Sequence, residues 1–153
     1  MPNLLVVWHS KTGGAQRLAD VVQSGAADPA IEGVEVRSVQ ALDAGPDDVR
    51  WADGIILGTP ANLGYMSGAL KHFFDTIYYD VLEESVGLPY AVFVKGSTDV
   101  DGALLAIEKI TTGLRWKRVL PPLAVLSEVT DEHVAQAYEL GATFAAGLSE
   151  GIF

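Results

Sequence analysis

The sequence predicts a doubly wound α/β fold, in which helices cover both faces of a parallel β-sheet. Short apolar runs rich in β-branched residues alternate along the chain with segments whose apolar residues recur at the helical period. The runs are apolar throughout, which is typical of strands that are buried on both faces. No repeat, linker or low-complexity tract interrupts the alternation, so the whole chain is expected to follow this one architecture.

Five strands are predicted from these apolar runs. The last of them follows Pro121 and Pro122, which cannot donate hydrogen bonds to a sheet. We therefore expect this strand to begin after the two prolines or to lie at an edge of the sheet. The predicted strands are Leu4 to His9, Val34 to Val39, Gly54 to Thr59, Tyr90 to Lys95 and Leu123 to Ser127.

Four long helices are predicted between and after the strands. The last helix carries Val134, Phe144 and Leu148 on one stripe, a pattern that fits packing against a sheet. Asp101 is expected to cap the third helix by accepting hydrogen bonds from its first free N–H groups. The predicted helices are Ala15 to Ala26, Ser67 to Val81, Asp101 to Leu114 and Asp131 to Leu148, with a further short helix between Leu42 and Ala52.

Length and composition predict a single folded domain over residues 1–153, with 49% hydrophobic and 20% charged residues. The absence of cysteine excludes disulfides, thiolate metal sites and cysteine nucleophiles. Histidines and carboxylates do not recur at metal-ligand spacing, so no metal is expected. No apolar run approaches the roughly 20 residues of a membrane span, and the N-terminus does not resemble a secretion signal. We therefore expect a cytoplasmic protein without a membrane span.

The net charge of −10 argues against a nucleic-acid partner, because binding to nucleic acid depends on neutralising phosphates with Lys and Arg. An acidic surface commonly serves solubility. A basic protein partner is the other interpretation, and the sequence leaves it open.

The junction after the first predicted strand has the composition of a phosphate-binding loop. Ser10 and Thr12 offer hydroxyl groups, and Gly13 and Gly14 allow backbone N–H groups to face an anion near the positive end of a helix dipole. The spacing matches neither G-x-x-x-x-G-K-[ST] nor G-x-G-x-x-G. The competing interpretation is a tight strand-to-helix turn without a ligand.

Ligands of doubly wound sheets bind beyond the carboxyl ends of the strands, where the strand order reverses. The loops that follow the first, third and fourth predicted strands are therefore the candidate site. These loops are Ser10 to Ala15, Thr59 to Ser67 and Gly96 to Gly102. A chemical role for His9 at the end of the first strand is left open, since its side chain could equally face solvent or the sheet.

Two stretches carry a resemblance to a known family. The first loop is similar to the T/S-x-T-G-x-T phosphate loop of flavodoxins. The segment from Gly58 to Asp75 resembles the G-T-P-x-x-x-G-x-M-S-G-x-x-K-x-F-x-D segment of flavodoxin-like NAD(P)H:quinone and flavin oxidoreductases, and Lys95 to Asp99 resembles the glycine-serine loop of those proteins. The resemblance implies a five-stranded sheet of order 2-1-3-4-5 with FMN at the switch point, the arrangement for which flavodoxin is a standard example.

The resemblance also implies a role for each loop. The first loop would hold the FMN phosphate, the second would run along the isoalloxazine edge, and the third would contact the pyrimidine side or the ribityl chain. No catalytic side chain is expected, because the flavin carries the redox chemistry. The implied cofactor-binding residues are Ser10, Lys11, Thr12, Gly13, Gly14 and Ala15; Thr59, Pro60, Ala61, Asn62, Leu63, Gly64 and Tyr65; and Gly96, Ser97, Thr98 and Asp99.

Two departures from the flavodoxin pattern bear on the expected activity. Ala15 stands where the flavodoxin loop has its last hydroxyl residue, and Tyr65 is the one aromatic side chain in the second and third loops as far as Gly102. A flavin with one open face suits hydride transfer from NAD(P)H and onward transfer to a small acceptor such as a quinone or a flavin. The alternative is a flavodoxin-type one-electron carrier that docks a redox partner protein. Self-association into a homodimer is left open.

Two further classes of protein share parts of this sequence pattern, and the residues at their key positions exclude both. A phosphorelay receiver needs acidic residues after the first strand and an aspartate at the end of the third, where this chain has His9-Ser10 and Gly58-Thr59. A serine hydrolase needs a G-x-S-x-G turn, and Gly96-Ser97 is not in that frame.

Overall fold

The computed structural model describes residues 1–153, which form seven strands and five helices. None of the helices is both long enough and apolar enough to cross a membrane. In chain order the elements are β1 (Asn3–Trp8), α1 (Gly14–Ala26), β2 (Glu35–Gln40), α2 (Pro46–Trp51), β3 (Gly54–Asn62), β4 (Tyr65–Met66), α3 (Gly68–Val81), β5 (Pro89–Gly96), α4 (Asp101–Leu114), β6 (Lys117–Arg118), β7 (Leu123–Leu126) and α5 (Asp131–Ser149).

Six of the strands form a parallel sheet whose order confirms the prediction. β1 lies between β2 and β3, and β3 pairs with β5 on its other side. The fifth position, beside β5, is filled by β6 and β7 in succession. The order is therefore the predicted 2-1-3-4-5, with its last strand divided into two short pieces.

The division of the fifth strand lies at Pro121 and Pro122, which cannot donate to the ladder. Before the prolines, the N–H of Val119 donates to the carbonyl of Tyr90 (3.0 Å), and after them the N–H of Ser127 donates to that of Gly96 (2.8 Å). The predicted start at Leu123 is confirmed. β6 was not predicted, because it consists of two exposed basic residues without an apolar pattern.

The core consists of two layers, one on each face of the sheet. In β1 the side chains of Leu5 and Val7 join a cluster with residues of α2, α3 and α4, while those of Leu4 and Val6 join a cluster with residues of α1 and α5. This alternation follows from the period of two along a strand. Burial on both faces explains why β1 is apolar throughout and confirms the doubly wound class.

The largest departure from the predicted boundaries follows Thr59, where a loop was expected. β3 continues to Asn62 and turns back into the antiparallel strand β4, with Asn62 opposite Tyr65. Leu63 and Gly64 form the turn with φ values of 51° and 76°. Two consecutive residues with positive φ are the requirement of a tight two-residue hairpin, and glycine meets it without strain. The other predicted elements agree with the structure within a few residues at each end.

Candidate functional site

The carboxyl ends of β1, β3 and β5 lie side by side, as the register pairs Trp8 with Gly58 and Pro60 with Lys95 show. The loops that follow these strands therefore converge, and they enclose a cavity of about 120 Å³. All three predicted loops contribute to its walls, and every lining residue except Lys95 was predicted. The lining residues are Ser10, Lys11, Thr12, Ala15, Pro60, Ala61, Asn62, Lys95, Gly96 and Ser97.

The first loop leaves the N-terminus of α1 open to a ligand. Gly13 is the N-cap, with a φ of 100°, and no side chain caps the helix. The first backbone bond of the turn is from the N–H of Arg17 to the carbonyl of Gly13 (3.0 Å), so the N–H groups of residues 14–16 have no partner inside the helix. By contrast, the hydroxyl of Ser67 caps α3 by accepting from the N–H of Leu70 (3.1 Å).

Ser10 shapes this loop through its hydroxyl, which accepts a hydrogen bond from the N–H of Gly13 (3.1 Å). A serine hydroxyl carries one proton of its own, so Ser10 can still donate to an anion. Thr12 is exposed beside it and lines the same cavity. Free helix N–H groups, two hydroxyls and the positive end of the α1 dipole form a cradle that fits a phosphate monoester.

A second cavity of about 610 Å³ adjoins the first. Lys95 and Ser97 line both cavities, and Arg17 reaches across the second one to donate to the carbonyl of Val129 (3.4 Å). Of its residues the sequence predicted Gly13, Gly14 and Ser97. The unpredicted ones are Arg17, Lys95, Ser127, Glu128 and Val129.

The unpredicted residues differ in how far the sequence signals them. Lys95 lies next to the end of a buried strand. A lysine at that position is a sequence signal that could have placed it in the site. Arg17 is exposed on an ordinary helix face, and Ser127 to Val129 carry no recognisable motif. These residues lie at the site only because α5 packs beside α1.

Thr59 has a structural role in the second loop. Its side chain is fully buried, and its hydroxyl donates to the carbonyl of Pro60 (2.8 Å) and accepts from the N–H of Ser67 (2.9 Å). Both interactions stay inside the protein, and Thr59 does not line the cavity. The hydroxyl therefore holds the hairpin in place, and a ligand contact through this side chain is not available.

The tip of the hairpin lies outside the cavity lining. Leu63 is fully exposed, and Tyr65 is 40% exposed on β4. The carbonyl oxygen of Gly64 packs so closely against Gly102 at the start of α4 that no Cβ fits at Gly102. The structure thus brings Pro60, Ala61 and Asn62 into the cavity and leaves residues 63–65 at its rim.

Only part of the predicted third loop lines the cavity, as in the second loop. Gly96 and Ser97 line the cavity, and Thr98 and Asp99 do not. The expectation that Asp101 caps α4 is wrong, because Asp101 is already the first helical residue and its N–H is the donor. The acceptor is the carboxylate of Asp99, at 2.9 Å from that nitrogen.

Three polar residues near the motifs have local partners. His9 bonds through its backbone N–H to the carbonyl of Gly58 (3.0 Å) and lines neither cavity. Lys71 and Asp75 form an ion pair across one turn of α3 (2.6 Å), and this hydrogen bond raises the pKa of Lys71. The lysine and aspartate of the long motif therefore stabilise a helix surface.

A further cavity of about 340 Å³ lies at the opposite end of the sheet, beside Asp53 and Pro89. Its cation, Arg50, is already paired with Glu84 (2.8 Å) and Asp47 (2.8 Å), and these hydrogen bonds raise the pKa of Arg50. The amino ends of parallel strands are not where doubly wound sheets bind ligands. The three-loop cavity is therefore the candidate site.

Comparison with curated proteins finds relatives of two kinds. The chain is 38% identical over 87 residues to a flavodoxin of Aquifex aeolicus, a match that covers 57% of this chain and 46% of that protein. It is 31% identical over 122 residues to an NAD(P)H dehydrogenase (quinone) of Acidithiobacillus ferrooxidans, covering 67% of this chain and 60% of that protein. The matches thus span about half of each relative's length.

Comparison with solved structures finds the same fold. A flavodoxin from the domain Archaea superposes with a TM-score of 0.82 at 20% identity, covering 97% of this chain and 99% of that one. A WrbA-like flavodoxin from Agrobacterium tumefaciens superposes with a TM-score of 0.77 at 20% identity, covering 99% of both chains. The flavodoxin-like architecture predicted from the motifs is confirmed.

A family model described as NADPH-dependent FMN reductase matches residues 9–127. This range begins at the end of β1 and includes the first, second and third loops in full. The resemblance predicted from those loops is therefore confirmed, and the chain belongs to the NADPH-dependent FMN reductase family, whose flavin is FMN.

Proposed function

We propose that this protein is an FMN-dependent oxidoreductase that takes hydride from NAD(P)H and passes electrons to a small acceptor such as a quinone or a flavin. When bound, FMN supplies the chemistry of accepting hydride and releasing electrons. The observation that carries the proposal is the lining of the three-loop cavity, which consists of small and polar side chains without an aromatic ring. No aromatic side chain of this lining would stack on a planar ring held there, which would leave one face of the ring available to a second planar reactant.

The first loop is proposed to bind and orient the flavin through its phosphate. The N–H groups at the start of α1 and the hydroxyls of Ser10 and Thr12 are the donors, and Ala15 lies buried behind them. Each hydrogen bond to a charged oxygen is stronger than one to a neutral acceptor. This cradle would fix one end of the flavin and so set the position of the ring.

The second and third loops are proposed to flank the ring. Pro60, Ala61 and Asn62 come from the end of β3, and Gly96 and Ser97 from the end of β5. Because β3 and β5 are hydrogen-bonded neighbours, the two loops are held at a fixed separation. The small side chains would allow backbone groups to approach a ligand closely. Tyr65 lies on the same hairpin, outside the cavity lining.

The comparisons support this proposal at the level of the family. The matched family model names NADPH and FMN, and one of the relatives is described as a quinone dehydrogenase. The identity of the acceptor and the choice between NADH and NADPH are part of the proposal.

A flavodoxin-type electron carrier is the second candidate. The net charge of −10 suits a basic redox partner protein, and the flavodoxin of Aquifex aeolicus is 38% identical over the matched segment. In this case the open cavity would face the partner protein instead of a nicotinamide.

Anaerobic mixing of the FMN-loaded protein with NADPH or NADH separates the two candidates. The proposal expects the absorbance of oxidised flavin to bleach within the time of catalytic turnover, with at least one of the two donors. Chemical reduction by dithionite serves as the control that the flavin is reducible. Bleaching by dithionite but by neither nucleotide would contradict the reductase and favour the carrier.

A further inference from the structure

Lys95 lies between the first and third loops, near the carboxyl end of β5. Its aliphatic stem passes over Gly14 at the start of α1, where an added Cβ would lie 3.2 Å from Cγ and 3.3 Å from Cε of the lysine. The glycine therefore leaves the space that the stem occupies. This packing delivers the ammonium group to the wall shared by the two cavities.

The ammonium group retains unused donors. It donates to the carbonyl of Gly96 (3.1 Å), and no other hydrogen bond of this group occurs in the structure. None of the five ion pairs in the structure involves Lys95. Because an ammonium carries three donors, two are available to an anion in the cavity.

The charge around the two cavities differs in sign from that of the whole protein. Their walls hold three cations, Lys11, Arg17 and Lys95, against one carboxylate, Glu128. The chain as a whole has a net charge of −10. A local excess of positive charge in an acidic protein favours an anionic ligand at that position.

Of the three cations, Lys95 is best placed to meet a phosphate. Lys11 and Arg17 are exposed, and the guanidinium of Arg17 is bonded to the carbonyl of Val129. Lys95 is half-buried, where water screens a charge less strongly. Beside it, Ala15 offers no hydroxyl that could serve the ligand instead.

We propose that Lys95 is a cofactor-binding residue that neutralises the phosphate of FMN and makes the site select phosphorylated flavins. This inference rests on the proposed function, since it presumes that FMN occupies the three-loop cavity. The lysine would supply from β5 the contact that a hydroxyl at position 15 does not supply from α1.

Titration of the parent protein and of Lys95→Met with FMN and with riboflavin tests this inference, with flavin fluorescence as the readout. Methionine keeps an unbranched stem over Gly14 and removes the charge. We expect FMN affinity to fall about 10- to 100-fold, the usual range for a lost hydrogen bond to a charged group. Riboflavin affinity should stay within about twofold, and the salt dependence of FMN binding should become shallower.

Two control variants separate this role from a general charge effect. Lys109→Met removes an exposed cation on α4 and should leave both affinities unchanged. Lys11→Met removes the exposed cation of the first loop and should cost less than Lys95→Met. A larger loss in Lys11→Met would overturn the assignment to Lys95.

The remaining outcomes are also decisive. Equal loss of FMN and riboflavin affinity in Lys95→Met would show that the lysine acts only by packing, and unchanged FMN affinity would show that it does not meet the phosphate. Either result overturns this inference and leaves the proposed function standing. A parent protein that binds neither flavin, or both equally, overturns the proposed function as well.

Discussion

The hydroxyl of Thr59 and the backbone N–H of Ser67 are 2.9 Å apart, and their hydrogen bond closes the base of the β3–β4 hairpin. Both residues are buried. The same two residues begin and end the predicted second loop, and Ser67 in turn caps α3. This single contact therefore joins the cavity-lining segment 60–62 to the helix that follows it.

Thr59→Val should destabilise the protein by about 1–3 kcal/mol, because it leaves the buried N–H of Ser67 without its acceptor. Chemical denaturation measures the free energy of unfolding. Thr59→Ser retains the hydroxyl and should lose less stability than Thr59→Val. If the valine variant is as stable as the parent, the hydrogen bond does not hold the hairpin.

Gly102→Ala should destabilise the protein by about 1–3 kcal/mol, since the new methyl group would overlap the carbonyl oxygen of Gly64. The matched control is Gly68→Ala at the start of α3, where an added Cβ meets no atom within 4 Å. That variant should be neutral or slightly stabilising. Equal stability of the two variants in thermal denaturation would contradict the close packing of the hairpin tip on α4.

Thr12→Val should weaken FMN binding by about 1–3 kcal/mol while riboflavin binding stays unchanged, because in the proposed site this hydroxyl donates only to the phosphate. Isothermal titration with each flavin gives the two affinities. A parallel loss for both flavins would place Thr12 away from the phosphate. Because Thr12 is exposed, the stability of the unliganded protein should not change.

The hydroxyl of Tyr138 on α5 donates a hydrogen bond to Asp28, just after α1. This bond lowers the pKa of Asp28 below its ordinary value of 3.8 and raises the pKa of Tyr138 above 10.0. The hydrogen bond therefore contributes its full stabilisation of the folded protein at pH values between the two ordinary pKa values, 3.8 and 10.0. It is lost as the pH falls through the lowered pKa of Asp28, or rises through the raised pKa of Tyr138.

Tyr138→Phe should therefore be less stable than the parent near neutral pH, and the difference should vanish in acid well below pH 3.8. Denaturation curves of both proteins across this range test the linkage. A difference that persists unchanged in acid would show that the contribution of the tyrosine hydroxyl does not depend on the charge of Asp28.

Much of the fold was predictable because the buried strands carry a continuous apolar signal. β1 and β5 flank the central strand β3, and the predicted ends of both strands lie within a residue or two of the observed ends. The β3–β4 hairpin was not predictable in the same way. Its turn places Leu63 at a φ of 51°, which local propensity opposes. The neighbouring Gly64 packs its carbonyl oxygen against Gly102, a contact between residues far apart in the sequence that no local pattern predicts.

The residues of the candidate site also differ in how well the sequence predicts them. Ser10, Thr12 and Ser97 follow strands whose ends could be located, so the topology brings them together as predicted. Arg17 and the 127–129 segment reach the site because α5 packs beside α1. No local sequence pattern predicts that packing. That residues 1–153 form one domain, and that the protein is cytoplasmic, stay predictions.

Hydrogen–deuterium exchange of backbone N–H groups with and without FMN tests most directly whether the three loops form the flavin site. We predict slower exchange with FMN in residues 10–16, 60–65 and 96–99, and unchanged exchange around Arg50, Glu84 and Ser85 at the opposite end of the sheet. Protection confined to that opposite cavity, or spread evenly over the protein, would contradict the assignment of the site.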